Sequence, residues 1–252
     1  MSPWSALAIF AAGLAAGTVN VIVGAGSLIT FPLLLALGYP PVLANVANNV
    51  GLVPGNVSGS IAYRPELAGQ RSRVVRLGGA SVAGAVTGAV LLLTLPGTVF
   101  RTLVPILILV ASALMAVQPR LTRMLEERGD RKLHGGAVLL VGVFLTGLYG
   151  GYFGAAQGVI LITLLAIFID DGLQRLNATK NVLVTLVNLI AALVFVAFSH
   201  VLWSVAALIG AGTLIGGQAG ARIGRRLPAP VFRWTIVVVG LVVAVVLAVE
   251  WF

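Results

Sequence analysis

The chain has 252 residues, of which 59% are hydrophobic and only 9% are charged, with a net charge of +9 and no cysteine. Apolar runs at residues 74–95, 103–117 and 231–249 are long enough to cross a bilayer core of about 30 Å. The composition therefore indicates a polytopic integral membrane protein and excludes disulfides and cysteine-ligated metals. The basic residues lie in short loops between apolar runs, which is typical of membrane topology, so no nucleic-acid partner is expected.

The first predicted element is a glycine-interrupted apolar stretch at residues 4–37. It is too long for one helix and is broken at "NVIVGAGS" (20–27), so the sequence predicts a helix, a turn and a second, shorter helix. The N-terminus lacks the basic region of a cleaved signal peptide, so this stretch is expected to stay in the protein. Three continuous helices are predicted to follow, at 42–62, 74–95 and 99–118.

A charged linker, residues 119–134, leads into a second half with the same plan. This half opens with an apolar stretch at 136–169, broken at "GGYFGAAQG" (150–158), and continues with predicted helices at 177–198, 202–222 and 231–251. A shift of 132 residues sets "NVANNVGLVPGN" (45–56) over "NATKNVLVTLVN" (177–188), and upstream a two-residue slip sets Gly24 over Gly158. The sequence thus predicts a single all-α transmembrane domain of two repeats, 1–118 and 135–252, each a broken helix hairpin followed by three transmembrane helices.

The loop charges predict how the repeats are related. One loop of the first half carries Arg64, Arg71, Arg73 and Arg76, whereas the matching loop of the second half, "SHVLWS", carries none. After the next helix the bias reverses, because "RIGRRLPAPVFR" is basic and its counterpart has only Arg101. By the positive-inside rule the repeats are inverted, with the basic loops and the linker in the cytoplasm and both termini outside.

Inverted repeats with breaks at matching positions are a transporter architecture, because the two-fold axis brings both breaks to mid-membrane. Non-helical backbone is tolerated there only where it is buried in protein or lines a water-filled cavity. The breaks at residues 24–27 and 154–158 are therefore candidate binding loops, and free helix N–H groups beside glycines favour an anion. Close helix packing is the alternative for these glycines, and it is the favoured interpretation for Gly84, Gly88, Gly216 and Gly220.

Two stripes of asparagines follow the breaks. Asn45, Asn49 and Asn56 share one helix face about 16 Å tall, and Asn177, Asn181 and Asn188 form the matching stripe. An unpaired amide in hydrocarbon costs a few kcal/mol, so neither stripe should face lipid. The stripes are predicted to line a substrate path, with interhelical hydrogen bonding as the alternative for any single asparagine.

Lys180 occupies the place of Asn48 in the second half. It is either the cation that meets an anionic substrate or a lysine that snorkels to the membrane interface. Gln157, at the second break, is a further donor. Asp170 and Asp171 are expected to cap or solvate the second hairpin.

At these motifs the chain resembles the TauE/SafE family of sulfite and organosulfonate exporters. The residues concerned are "GLAAGTVNVIVGAGSLITFPLLLALGYPPVLANVANNVGLVPGNVSG", its echo "GLYGGYFGAAQGVILI" with "LNATKNVLVTLVNLIAALVF", and "GGQAGARIGRRLP". The resemblance implies a bacterial inner-membrane permease that moves small sulfur-containing anions, usually outward. Family members often have threonine where this chain has Ala47, while Thr179 stands at the matching place, so a hydroxyl ligand is expected on one side. The expected substrate-binding residues are Asn20, Gly24, Ala25, Gly26, Ser27, Asn45, Asn48, Asn49, Asn56, Gly154, Gln157, Gly158, Thr179, Lys180, Asn181 and Asn188.

No Asp or Glu lies in the interior of a predicted span, so a carboxylate proton relay is not evident. A uniporter that expels anions at about 2.3 kcal/mol per charge per 100 mV needs none, and proton coupling through the substrate or Lys180 is the competing mechanism. An anion channel for another small anion is the alternative function. An intramembrane enzyme is disfavoured, because no acid/base or metal set lies in a span, and His134 and His200 are far apart. No catalytic residue, metal or cofactor is expected; the expected partners are the anion and the bilayer, with homo-oligomerisation left open.

Overall fold

The computed structural model describes residues 1–126 and 136–223, together with 237, 238 and 241. Its described residues are helical with no strand, which confirms the all-α class. A short 3-10 turn, Arg64–Leu67, follows the third helix. The helices are α1 (Pro3–Ile22), α2 (Ser27–Ala36), α3 (Pro41–Ala62), α4 (Arg71–Thr94), α5 (Gly97–Glu126), α6 (Ala137–Tyr152), α7 (Gln157–Phe168), α8 (Leu173–Phe198) and α9 (Trp203–Ile223).

Five of the described helices are long and apolar enough to cross a membrane, so the chain is a multi-pass membrane protein. These spans are Pro3–Ile22, Arg71–Thr94, Gly97–Val117, Leu173–Phe198 and Trp203–Arg222. Helix α3 has a comparable length of 22 residues, but its four asparagines lower its hydropathy. Three further apolar helices, α2, α6 and α7, are shorter.

Both predicted breaks are confirmed. The chain leaves α1 after Ile22 and turns at Gly24, whose φ of +86° is a left-handed conformation that glycine adopts without strain. In the second half α6 ends at Tyr152, and the turn uses Gly154 at φ +76° and Ala156 at φ +55°. Each opening stretch is therefore a long helix, a tight turn and a shorter helix.

The helix ends correct the upstream alignment of the two halves. The Gly24 N–H donates to the Val19 carbonyl at 3.2 Å, and the Gly154 N–H donates to the Tyr149 carbonyl at 3.0 Å. Gly24 thus corresponds to Gly154, not to Gly158. The sequence is so rich in glycine that either alignment places a glycine over a glycine. Only the turn geometry shows which alignment is correct. The two-residue difference lies inside the short helices, since α2 has 10 residues and α7 has 12.

The two halves exchange their opening helices. Helix α1 packs along α9 of the other half, and α6 packs along α4. Gly84 and Gly88 lie against the backbone of α6, and Gly216 and Gly220 lie against the backbone of α1, with no room for a Cβ at any of them. The packing interpretation of these four glycines is confirmed.

Two boundaries differ from the predicted ones or lie beyond what is described. Helix α5 continues to Glu126, so residues 119–126 of the predicted linker belong to a helix. The predicted helix at 231–251 lies outside the described residues except at 237, 238 and 241.

Helices α3 and α8 are in contact, with the Ser60 and Thr185 hydroxyls 2.8 Å apart. Inversion of the halves across the membrane stays a prediction.

Candidate functional site

The two breaks contact one another directly. The Gly158 N–H donates to the Gly24 carbonyl at 3.1 Å, and neither residue has room for a Cβ because the other's backbone occupies that space. The remaining break residues of the expected site, Ala25, Gly26, Ser27 and Gly154, are buried around this contact. The starts of α2 and α7 therefore lie close together, as the anion hypothesis requires.

Helix starts carry N–H groups that no carbonyl of their own helix satisfies. Within the described residues, the backbone N–H groups of Ser27 and Ala156 make no hydrogen bond. The positive ends of two helix dipoles thus meet beside two free donors, which favours a negatively charged ligand.

Asn45 and Asn177 bind helix ends across the halves. Asn45 Nδ2 donates to the carbonyl of Tyr152, the last residue of α6, at 3.0 Å. Asn177 Nδ2 donates to the carbonyl of Val21, in the last turn of α1, at 3.5 Å. An unpaired carbonyl is costly away from water, so these two amides stabilise the broken helices. In both residues the Nδ2 group therefore makes an interhelical hydrogen bond, which is the alternative interpretation of the stripes.

Asn56 and Asn188 are each bound by a second amide from the hairpin of their own half. Asn20 Nδ2 donates to Asn56 Oδ1 at 2.5 Å, and Gln157 Nε2 donates to Asn188 Oδ1 at 2.8 Å. The position that matches Asn20 is Gly150, and Gln157 Oε1 fills the space where a Cβ of residue 150 would lie. In the second half the amide that binds the stripe therefore comes from Gln157, after the break, whereas in the first half it comes from Asn20, before the break.

Lys180 is completely buried, at 0% exposure, which overturns the snorkelling alternative. Its Nζ donates to the carbonyls of Asn20 at 3.4 Å and Val21 at 3.2 Å, at the negative end of α1. Within the described part of the chain it forms no ion pair with a carboxylate. Its counterpart Asn48 instead accepts a hydrogen bond from the Thr30 hydroxyl of α2.

Several amide atoms of the predicted stripes, and one of Gln157 at the second break, are buried with no hydrogen-bond partner among the described residues. Asn49 and Asn181 occupy matching positions on α3 and α8, and each has one such atom. The cost of burying an unsatisfied amide makes these atoms candidates for ligand contact. The atoms are Asn45 Oδ1, Asn49 Oδ1, Asn56 Nδ2, Gln157 Oε1 and Asn181 Nδ2.

Thr179 is not brought to the breaks. Its hydroxyl lies 2.7 Å from Gln70 Oε1, in a polar cluster that the sequence analysis did not identify. In that cluster Arg73 binds Asp171 at 2.7 Å, and Arg175 binds the same carboxylate at 2.8 Å. Burial alone would raise the pKa of Asp171, but hydrogen bonds from Arg73, the Gly172 N–H and Arg175, with the charge of Arg175, hold the pKa below its ordinary value.

An aromatic cluster beside the second break also went unidentified. Phe31 stacks edge-to-face on Phe153 with ring centroids 5.1 Å apart, and Phe100 stacks likewise on Tyr152 at 5.6 Å. The Tyr152 hydroxyl is buried and has no partner among the described residues. These rings come from three separate helices and one turn, so no spacing along the chain signals them.

An open cleft of about 410 Å³ between α3 and α9 is not this site. Its lining is apolar and contains none of the buried amides. The lining residues are Val50, Pro54, Trp203, Ala206, Ala207, Gly210, Ala211 and Leu214.

Comparison with known proteins agrees with the transporter interpretation. A family model described as "Sulfite exporter TauE/SafE" matches residues 9–247. A probable membrane transporter protein, ORF9, of Sinorhizobium sp is 28% identical over 241 residues, covering 94% of this chain and 90% of the relative. The probable membrane transporter protein YfcA of Escherichia coli K12 is 28% identical over 233 residues, covering 90% and 82%. One from Haemophilus influenzae is 28% identical over 221 residues, covering 85% and 83%. No solved structure matches the chain.

Proposed function

Because the chain belongs to the sulfite exporter TauE/SafE family of membrane transporters, we propose that it carries a small sulfur-containing anion, sulfite or an organosulfonate, outward across the bacterial inner membrane. The names of the curated relatives state membrane transport and no substrate. The choice of anion therefore depends on the chemistry of the site.

The observation that carries the proposal is the burial of Lys180. An ammonium inside a membrane protein is costly unless a negative partner balances it. Lys180 is 0% exposed, its two described contacts are neutral carbonyls, and no described carboxylate pairs with it. One of its three N–H donors is left for a ligand. A substrate anion supplies both the missing charge and an acceptor.

The anion is held beside the contact between the two breaks. Lys180 Nζ reaches from α8 to the end of α1, and the free N–H groups of the α2 and α7 starts lie at the neighbouring turns. Asn181 Nδ2, on α8, adds an unpartnered donor, whereas the unpartnered atom of Asn49, on α3, is the acceptor Oδ1. All these groups except Asn49 Oδ1 are neutral or positive donors, which suits a sulfite or sulfonate group with its several oxygen acceptors.

Transport proceeds by alternating access between two inverted repeats. Every side chain of the expected site is at most 8% exposed, so the site is closed in this conformation. A closed central site favours a carrier that opens to one side at a time over an open anion channel. The exchange of α1 and α6 between the halves supports this mechanism, because movement of one half necessarily moves a wall of the site.

The proposal is tested by flux measurements in proteoliposomes. Sulfite, sulfoacetate, taurine and sulfate are compared for the wild type, Asn49→Leu and Asn181→Leu. We expect saturable flux of at least one sulfur-containing anion, and roughly a tenfold loss in Asn181→Leu, the effect of one hydrogen bond to a charged group. Asn49→Leu shows the same loss if the Asn49 amide turns its Nδ2 toward the bound anion. Thr87→Val is the matched control, since it removes an exposed hydroxyl on α4.

Flux of no anion by folded wild-type protein would contradict the transport proposal. Unchanged flux in both asparagine variants, with wild-type folding, would contradict the role of the stripes. Flux that does not saturate and shows no exchange would favour the channel.

A further inference from the structure

We propose that Asn20 is a positioning residue that fixes which end of the Asn56 amide faces the transported anion. The inference rests on the proposed function, because it assigns roles within that anion site. Asn20 lies in the last turn of α1 and is buried. Its side chain contacts the backbone of the first break on one side and Asn56 of α3 on the other.

The direction of the Asn56 amide follows from a backbone group. The two ends of an amide side chain exchange places by a half-turn, but a backbone N–H can only donate. The Gly26 N–H lies 3.1 Å from Asn20 Oδ1, so the acceptor end of Asn20 is fixed toward the break. Asn20 then donates through Nδ2 to Asn56 Oδ1 at 2.5 Å. Asn56 is left with its donor end, Nδ2, which is buried and has no partner among the described residues.

Lys180 adds a second donor at the same residue. Its Nζ donates to the backbone carbonyl of Asn20 at 3.4 Å. The Lys180 ammonium and the Asn56 NH₂ group therefore both belong to side chains that Asn20 binds, and both groups can only donate hydrogen bonds. This arrangement selects a ligand that offers oxygen acceptors and negative charge, and it rejects a cation.

The second half has the corresponding amide, Gln157, but no described backbone group fixes the orientation of that amide. Gln157 takes the space above Gly150 and binds Asn188, but its own Oε1 is buried with no partner within the described residues. No backbone N–H among them holds that oxygen. The selection of an anion by a fixed amide therefore belongs to the first half, at Asn20 and Asn56.

The test measures KM and kcat for radiolabelled sulfite and sulfoacetate in proteoliposomes. Asn20→Leu breaks the hydrogen-bond chain at both ends, so Asn56 is free to turn its oxygen toward the anion. We expect KM to rise about tenfold or more, as for one hydrogen bond to a charged group, with kcat less affected. Thr18→Val is the matched control, because it removes a hydrogen bond of the same helix, from the Thr18 hydroxyl to the Gly216 carbonyl at 3.1 Å. Its KM should stay within about twofold of the wild type, as expected for a change outside the site.

A second variant keeps the proposal testable if Asn20→Leu fails to fold. Asn20→Asp has the same shape and keeps an acceptor for the Gly26 N–H, but it offers Asn56 an acceptor in place of a donor. Asn56 then turns Nδ2 toward residue 20, and the new carboxylate adds a like charge beside the anion, so KM should rise more than in Asn20→Leu. Sulfite should also raise the Tm of the purified wild type and of Thr18→Val, and raise it less in both Asn20 variants.

Wild-type KM in a folded Asn20→Asp protein would overturn the role of Asn20 while leaving the transport function in place. Wild-type vesicles that carry none of the anions would instead overturn the proposed function, and the role of Asn20 with it.

Discussion

At the residue scale, the buried asparagines divide by what their amides touch. Asn45 and Asn177 donate to the last carbonyls of α6 and α1, so they hold the fold together at the breaks. Asn49 and Asn181, one turn further along, leave an amide atom unpartnered within the described residues. Each stripe therefore contains both a structural amide and an amide available to a ligand.

Lys180→Met tests the charge at this scale. Methionine fills a similar volume without a buried charge, so stability should stay equal or rise, since replacing a buried ion by an apolar residue is often neutral or stabilising. Anion flux should fall about a hundredfold, as for loss of one member of a buried charge pair. The measurements are flux in proteoliposomes and Tm in detergent.

The control for Lys180→Met is Thr185→Val, on the same helix and half-buried against Ser60. It should keep flux within about twofold. Wild-type flux in Lys180→Met would show that the lysine serves the fold alone.

At the element scale, the broken helices matter because their turns meet. Gly24 combines a left-handed φ of +86° with direct contact to Gly158, so both its conformation and its lack of a side chain are needed. Neither requirement involves the ligand. The two short helices α2 and α7 are thereby fixed with their starts together, which brings the positive ends of two helix dipoles to the candidate site.

Gly24→Ala should therefore separate the two helix starts. We expect a loss of about 3 kcal/mol in unfolding free energy from overpacking and backbone strain, together with reduced anion flux. Gly79→Ala is the control, because a Cβ there meets nothing within 4 Å and α4 gains helix propensity. Equal stability of the two variants in detergent unfolding would contradict the contact between the breaks.

At the scale of the whole molecule, matching positions of the two halves make different contacts. The Arg73–Asp171 ion pair joins α4 of the first half to the start of α8 in the second, and Gln70 and Thr179 extend the contact. The shift of 132 residues places Leu202, Val205, Tyr39 and Leu43 at the positions of Gln70, Arg73, Asp171 and Arg175. Val205 is buried in the apolar core, and Tyr39 and Leu202 pack against that core. A polar contact thus forms at one set of positions, and apolar packing occupies the matching set.

Asp171→Asn should weaken the polar contact by about 2 kcal/mol, because it removes the charge from the acceptor that binds both Arg73 and Arg175. The pKa of Asp171 is lowered in the folded state, so its contribution to stability is present above its ordinary value of 3.8 and is lost as pH falls through the lowered pKa. Unfolding of the wild type should therefore become easier below about pH 4, and Asp171→Asn should lack this component.

Arg76→Gln, which removes an exposed charge one turn along α4, is the control for that measurement and should change stability by less than about 0.5 kcal/mol. The same acid dependence in Asp171→Asn and in the wild type would contradict a stabilising role for the ion pair.

The sequence by itself determined the properties that depend on neighbouring residues. Hydropathy identified a multi-pass membrane protein, glycines at the middle of two apolar stretches identified the breaks, and the helical period placed Asn45, Asn49 and Asn56 on one buried face. The tertiary structure decided everything that depends on contacts between distant residues. Lys180 contacts Asn20, 160 positions away in the sequence, and Arg73 contacts Asp171, 98 positions away. Only these contacts show that Lys180 is buried and does not snorkel, and that Thr179 lies away from the candidate site. The alignment of Gly24 with Gly154 had the same origin, because repeated glycines fit several slips and only the turn geometry selects one.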